Sequence, residues 1–402
     1  MKLLEINSVN YGSTGKIMYS LADIMIDNGH SVLCATGFTW NKSNHRSDIL
    51  VGSFFSKTIH MVLSSFFGKH GCYSKRATKK LIDIINDFSP DIIHLHNIHG
   101  WYLNIQLLFQ HIKTKSIPVI WTLHDCWAFT GGCAHFTYVR CDKWKTSCSN
   151  CKNLSEYPIK SRKDKTHDMF YLKKCLFEEV KNMTIVTPSQ WLANLVKQSF
   201  LREYPVKVIN NGINLEIFKP TPSEFKYRYG LIGKKIILGV SFGWGNRKGL
   251  DVFIELSKIF SNDYQIVLVG TDENTDKLIP DNIISIHRTN SQQELAEFYT
   301  AADVFVNPTR EENYPTVNME ALACGTPVVT FRTGGSPEIL DETCGAVVDY
   351  NDLDSLSKEI KRICEINPYS EEACVNRAKK FDMNLRFIEY INLYEELLRE
   401  SF

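Results

Sequence analysis

The chain has 402 residues, with 46 lysines and arginines against 45 acids and a formal net charge of +1, so it carries no global basic field of the kind that holds nucleic acid. Its 44% hydrophobic content is enough to fill ordinary cores, and its length calls for two or more domains. No apolar run is long enough to span a bilayer, and 12 cysteines in so long a chain do not make a disulfide scaffold.

In chain order, Met1-Lys2 runs straight into Leu3-Leu4-Glu5-Ile6, which reads as a first strand rather than a charged-then-apolar leader. The expectation is a cytosolic protein. Apolar runs then alternate with helical patterns, as in parallel α/β sheets. Strands are predicted at 2–7, 31–36, 91–96, 118–123, 183–187 and 206–210, and helices at 15–27, 77–88 and 190–199. The first strand-to-helix turn, Ser8 to Lys16, lacks the dinucleotide G-x-G-x-x-G fingerprint. It still places Gly12 and Gly15 where backbone turns sharply or meets a ligand closely. The stretch from Phe54 to Ile82 has no acid and holds Lys57, Lys69, Lys75, Arg76, Lys79 and Lys80 among Phe54, Phe55, Ile59, Met61, Val62, Leu63, Phe66 and Phe67. That mixture suits a surface resting on anionic lipid, and equally a core helix with a basic outer face.

His94, His96 and His99 alternate near a strand end with no carboxylate or cysteine at metal spacing beside them, so acceptor contact or packing is expected of them. His124 follows the 118–123 strand, at the edge where ligands bind in such sheets. Cys133, Cys141, Cys148 and Cys151 fall in a turn-rich stretch, and Cys148-x-x-Cys151 has the spacing of a zinc knuckle. Structural zinc and free thiols both fit; disulfides suit a reducing cytosol poorly.

Asn211-Gly-Ile-Asn214 is turn chemistry at a domain crossover, after which the pattern restarts. Strands are predicted at 235–240, 265–270, 282–286, 304–307 and 327–331, and Ser291-Gln-Gln-Glu294 is a capping box for a helix to Ala301. Arg247-Lys248 sits at a glycine-rich strand-to-helix junction, where a diphosphate can be neutralised. Glu312 and Glu320 flank a helix start: Pro315 suits its first turn, the N–H groups near Thr316 to Asn318 can meet an anion, and Gly325 closes it. The tail has apolar residues at Leu385, Ile388, Ile391, Tyr394 and Leu397, which need burial. The expected division is 1–205, with a Cys-rich loop at 126–153, then 206–380, then a tail at 381–402: two doubly wound parallel-sheet domains facing a cleft.

The order carboxylate, anion-binding helix start, carboxylate resembles the donor-sugar motif of retaining glycosyltransferases of family 4. The resemblance extends over Tyr11 to Gly15, Asn28 to Val32, Thr122 to Asp125, Thr187 to Ser189, Ile209 to Ile213, Arg247 to Gly249 and Glu312 to Val329. Within that family, His94 to Asn104 and Thr122 to Cys133 are similar in style to enzymes of colanic acid, O-antigen and capsule assembly. The resemblance implies a GT-B fold whose last helix crosses back to the first domain. It implies transfer of a hexose from a nucleotide sugar, UDP-hexose or alternatively a GDP-sugar, to an undecaprenyl-diphosphate-linked saccharide at the inner leaflet, on a cytoplasmic, peripheral enzyme. The catalytic residues would be His124, Lys248 and Glu312. Lys248 would hold the diphosphate with help from Arg247, Glu312 the sugar hydroxyls and Glu320 the ribose. Asn313, Tyr314, Pro315, Thr316 and Val317 would line the donor, and Gly15 would face the acceptor side of the phosphate. No metal or other cofactor is implied for catalysis, and no nucleic acid partner. Two departures stand out: the family's arginine five residues before the lysine is Gly243 here, and its Gly-Phe-Gly is Asn313-Tyr314-Pro315. The alternatives on this fold are a non-hydrolysing sugar-nucleotide epimerase and a non-catalytic nucleotide-sugar-binding subunit.

Overall fold

The computed structural model describes residues 1–39 and 48–400. The chain divides into two compact units, Met1–Ile209 with Phe387–Phe402, and Asn210–Arg386. Both boundaries lie a few residues beyond 205 and 380, for physical reasons. The strand Val206–Val208 pairs in parallel with the strand before it and so closes the first sheet instead of opening the second. Further on, Ile213 donates to Phe381 O at 2.8 Å and Met383 donates to Ile213 O at 3.0 Å, which fastens residues 381–383 to the second unit.

The first unit holds β1 (Lys2–Val9), β2 (Ser31–Phe38), β3 (Asp48–Leu50), β4 (Ile92–Leu95), β5 (Val119–Thr122), β6 (Met183–Thr187) and β7 (Val206–Val208). They form one parallel sheet in the order β3-β2-β1-β4-β5-β6-β7. Residues of β4, β5 and β6 are all buried, as expected of central strands covered on both faces. The order reverses between β1 and β4, so the crevice beyond their C-terminal ends is the switch point where such sheets bind ligands. β3 has three residues and was not predicted.

Two helices of this unit depart from simple expectation. Helix Phe54–Phe67 buries Lys57, His60 and Ser64 and turns its apolar side outward. Phe54 is 83% and Phe55 74% exposed, and Ile59, Met61, Val62, Phe66 and Phe67 are exposed with them. Lys57, expected among the outward cations, is buried with Nζ 4.9 Å above the Phe38 ring. The tail helix Met383–Glu400 buries Phe387, Tyr390, Leu393, Tyr394 and Leu397, whereas Leu385 and Ile388 of the predicted stripe are exposed. Successive steps of three residues drift around a helix, so nine residues from Leu385 to Tyr394 amount to about 180°. The two therefore stand on opposite faces.

The second unit holds β8 (Lys235–Val240), β9 (Tyr264–Val269), β10 (Ile283–Ile286), β11 (Val304–Asn307), β12 (Val328–Phe331) and β13 (Gly345–Val348), parallel in the order β10-β9-β8-β11-β12-β13. Its switch point lies between β8 and β11, which makes neighbours of the loops carrying Lys248 and Glu312. Ser291 caps helix Gln292–Ala301 by accepting from Glu294 N at 3.1 Å. The Glu294 carboxylate reaches past the cap to Asn290 N at 2.6 Å.

Candidate functional site

In the second unit, Lys248 Nζ meets Glu312 Oε2 at 2.7 Å. Both side chains are partly covered, 25% and 21% exposed, so the pair is neither a core ion pair nor a freely solvated one. The other Glu312 oxygen accepts the Asn313 N–H at 3.1 Å. Gly334 presses on the same loop: at φ +56 it brings its backbone so close that a Cβ would lie 1.8 Å from Glu312 O.

Pro315 stands one position ahead of its expected place, as N-cap of helix Thr316–Ala323, and offers no side-chain cap. A helix start without a capping side chain leaves its first N–H groups to another acceptor. Gly325 follows the C-cap Cys324 at φ +83 and donates to Leu322 O at 2.9 Å, closing the helix as expected. Glu320 Oε2 accepts from the fully buried Tyr299 hydroxyl at 3.1 Å, which fixes the carboxylate on the helix side. Thr316 and Val317 are half-buried; Asn313 is buried. Tyr314 is buried as well, with its ring 6.3 Å from Phe381, so its side chain belongs to the core of this unit.

Arg247 is exposed. The arginine that organises this loop is one not singled out from the sequence, Arg310. It is 7% exposed and forks onto Asp251 at 2.6 and 2.7 Å, and its Nε donates to Asn351 Oδ1 at 2.7 Å. Its own N–H donates to Arg247 O at 2.8 Å, so it ties the 246–251 segment to the Glu312 loop.

In the first unit, Gly15 lies against the turn after β1, where a Cβ would meet Asn10 C at 2.4 Å. The histidines form a connected network. His96 Nε2 meets Glu5 Oε2 at 2.7 Å, and His96 Nδ1 meets His124 Nε2 at 3.0 Å with the two rings stacked. His94 bonds Tyr394 OH and Thr122 Oγ1, each at 2.8 Å, and its Nδ1 lies 3.3 Å from Glu5. Tyr390 OH reaches Thr122 Oγ1 at 3.2 Å. The tail helix thus docks onto the polar cluster beneath His124. His99 pairs with Asp125 at 2.9 Å and with Tyr157 OH at 3.1 Å. A small cavity of about 10 Å³ is lined by His96, Asn97, His99, His124 and Asp125 among others.

The expectation that no carboxylate stands beside these histidines needs correction. Glu5 is a register partner of His94 across β1 and β4 and is fully buried. Burial alone would raise the Glu5 carboxyl, but the positive influence of His94 and His96 outweighs it and holds the group at about 2. Burial, aided by His94, lowers His96 to about 4 against the pull of Glu5. Burial, then His96, depresses His124 well below the usual imidazole range. Among the described residues, Glu5, His94 and His96 are the one set of three with ligand atoms all within 4.8 Å of one another. Hydrogen bonds already occupy both nitrogens of each histidine.

Buried neutral histidines predict acid lability. Burial lowers His60 to about 3, and His96 stands at about 4. An unfolded chain takes up these protons near 6.5, so between roughly pH 6.5 and 4 the unfolded state binds more protons and stability falls, by ~1.4 kcal/mol per pH unit per group. Glu5, also depressed, adds to the loss only below about 4.5. The urea midpoint of the first unit is expected to drop between pH 7 and pH 5; an unchanged midpoint would contradict this.

The Cys133 and Cys151 thiols lie within hydrogen-bond reach of each other, and Gly131 N–H donates to Cys148 Sγ at 3.1 Å. Among the described residues, no three of the sulfurs of Cys133, Cys141, Cys148 and Cys151 lie within 4.8 Å of one another.

Comparisons with known proteins bear on this geometry. A family model described as Glycosyltransferase Family 4 matches residues 14–217, and one described as Glycosyl transferases group 1 matches residues 234–365. A protein named for colanic acid biosynthesis as a glycosyl transferase, WcaC of Escherichia coli strain K12, is 26% identical over 324 residues, 77% of each chain. Among solved structures, sucrose-phosphate synthase from Thermosynechococcus elongatus superposes with a TM-score of 0.74 at 17% identity, covering 99% of both chains. Anabaena Alr3699/HepE, solved in complex with UDP, superposes with a TM-score of 0.72 at 14% identity, covering 98% of this chain and 100% of that one. The architecture is GT-B.

Proposed function

The chain belongs to glycosyltransferase family 4, and on that premise we propose that it transfers a hexose from a nucleotide sugar, with retention at the anomeric carbon, to a lipid-linked saccharide in surface-polysaccharide assembly. The observation that carries this reading is the Lys248–Glu312 pair, 2.7 Å apart at the second sheet's switch point beside an uncapped helix start. Lys248, Arg247 and the Thr316 helix start supply positive charge for the departing diphosphate, so no divalent metal is invoked. Glu312 takes the sugar hydroxyls and Glu320, steadied by Tyr299, the ribose. His124 serves the reacting sugar and Gly15 the acceptor side. UDP is the favoured nucleotide of the donor because HepE binds it. The E. coli relative's name supports a polysaccharide acceptor. Retention is tested by NMR of the product's anomeric coupling: a product with inverted configuration excludes this mechanism.

A lipid-linked acceptor requires the enzyme to reach a bilayer. Among the described residues no helix is long and apolar enough to cross a membrane. The outward apolar side of helix Phe54–Phe67 supports peripheral attachment to anionic lipid. Arg162 lies 4.9 Å over Phe66 and Lys163 5.8 Å over Phe67, and Lys69, Lys75, Arg76, Lys79 and Lys80 are exposed nearby in sequence. The two glycosyltransferase family models that match the chain favour transfer over epimerisation.

Structural zinc on Cys133, Cys141, Cys148 and Cys151 is proposed on the knuckle spacing and the Cys133–Cys151 contact, and it requires these sulfurs, no three of which lie within 4.8 Å of one another, to draw together around the ion. Elemental analysis should find about one zinc per chain; a chain purified without it removes the idea.

A further inference from the structure

We infer that Glu5 and His96 are positioning residues that fix the tautomer of His124. A carboxylate only accepts hydrogen bonds, so Glu5 Oε2, 2.7 Å from His96 Nε2, must take the Nε2 proton of His96. A neutral His96 then has only a lone pair at Nδ1. The 3.0 Å contact from His96 Nδ1 to His124 Nε2 therefore needs the proton on His124 Nε2. His124 is left with an unprotonated Nδ1, an acceptor. The same logic governs histidines whose far nitrogen is set by a carboxylate partner.

The arrangement is built rather than incidental. Glu5 sits between Leu4 and Ile6 in the buried middle of its strand and is itself fully buried, where an unpaired carboxylate would cost several kcal/mol. His94 and the Tyr394 hydroxyl of the tail helix stand on its other side. Trp121 Nε1 donates to His96 O at 3.0 Å and fixes the backbone that carries the middle ring. Burial keeps His96 neutral at ordinary pH, which the relay requires.

The consequence for catalysis rests on the reading of His124 given above. An imidazole held with an unprotonated Nδ1 can accept a hydrogen bond there, as from a sugar hydroxyl, and cannot donate one. Glu5 and His96 act only through it.

The test is the nitrogen-15 spectrum of the full-length protein labelled in its histidine rings, with His124 assigned by its loss in His124→Gln. At pH 7.5 the wild-type His124 should show the Nε2–H tautomer, and Glu5→Gln should convert it to a mixture. Glu5→Gln should also lower kcat by roughly 10-fold or more while leaving KM for the donor unchanged, since only a transition-state contact is weakened. An Nδ1–H tautomer in the wild type overturns the inference, as does a spectrum unaltered by Glu5→Gln. So does a metal ion retained by the wild type and lost in Glu5→Gln. The wild-type spectrum decides the matter even if Glu5→Gln does not fold. Full transfer activity in His124→Gln would instead sink the catalytic reading of His124 and leave the tautomer result standing.

Discussion

Lys248→Ala is expected to slow transfer by roughly 10²- to 10³-fold, the usual cost of losing one preorganised charge contact to a developing anion. The variant loses the ammonium that meets Glu312 Oε2 at 2.7 Å, while the bond from Asn313 N–H to the other oxygen stays. Because both side chains are partly exposed, stability should change by no more than ~1 kcal/mol, and the defect should lie in turnover. Arg247→Ala should do less, for Arg247 is exposed while the loop is held by Arg310. Steady-state kinetics with saturating donor and acceptor, together with a melting curve, check both. Near-normal turnover of Lys248→Ala would remove Lys248 from the donor site.

Charge reversal on the first unit should abolish binding to anionic vesicles. Changing Lys69, Lys75, Arg76, Lys79 and Lys80 to glutamate removes five exposed cations. Each contributes about 1 kcal/mol near an anionic surface, so partitioning should fall by more than roughly 10³-fold. Lys57 is not among the five because it is buried beneath its helix. Replacing Phe54, Phe55, Phe66 and Phe67 by serine should weaken binding to the same vesicles with little loss of fold, since all four are exposed. Vesicle sedimentation with circular dichroism as the fold control reads both. Unchanged sedimentation of the charge-reversed protein would make this face ordinary surface.

Much of this was legible locally. The strands bearing the candidate site have dense apolar runs with turn residues between them, and β6, β8 and β11 match their predicted bounds. The Glu312–Glu320 segment was legible because its punctuation by Pro315 and Gly325 is local chemistry. What escaped depends on distant partners. Glu5 meets His96 across 91 residues, and Arg310 meets Asp251 across 59. A glutamate between Leu4 and Ile6 in the first strand and an arginine after a strand end were the available signals. β3 and β13 are short, three and four residues, and carry too little pattern to separate from loop. The composition of helix Phe54–Phe67 was read, but which side it buries is set by what it packs against. Its polar Lys57, His60 and Ser64 went inward.

The measurement that tests the central claim most directly is nucleoside diphosphate release across a panel of nucleotide sugars, with and without a lipid-linked saccharide in detergent or vesicles. The account predicts release from one donor, a UDP-hexose, only when the acceptor is present, with the hexose recovered on the lipid-linked product. Conversion of the nucleotide sugar into an epimer without any acceptor, or binding of the donor with no turnover under either condition, would contradict it.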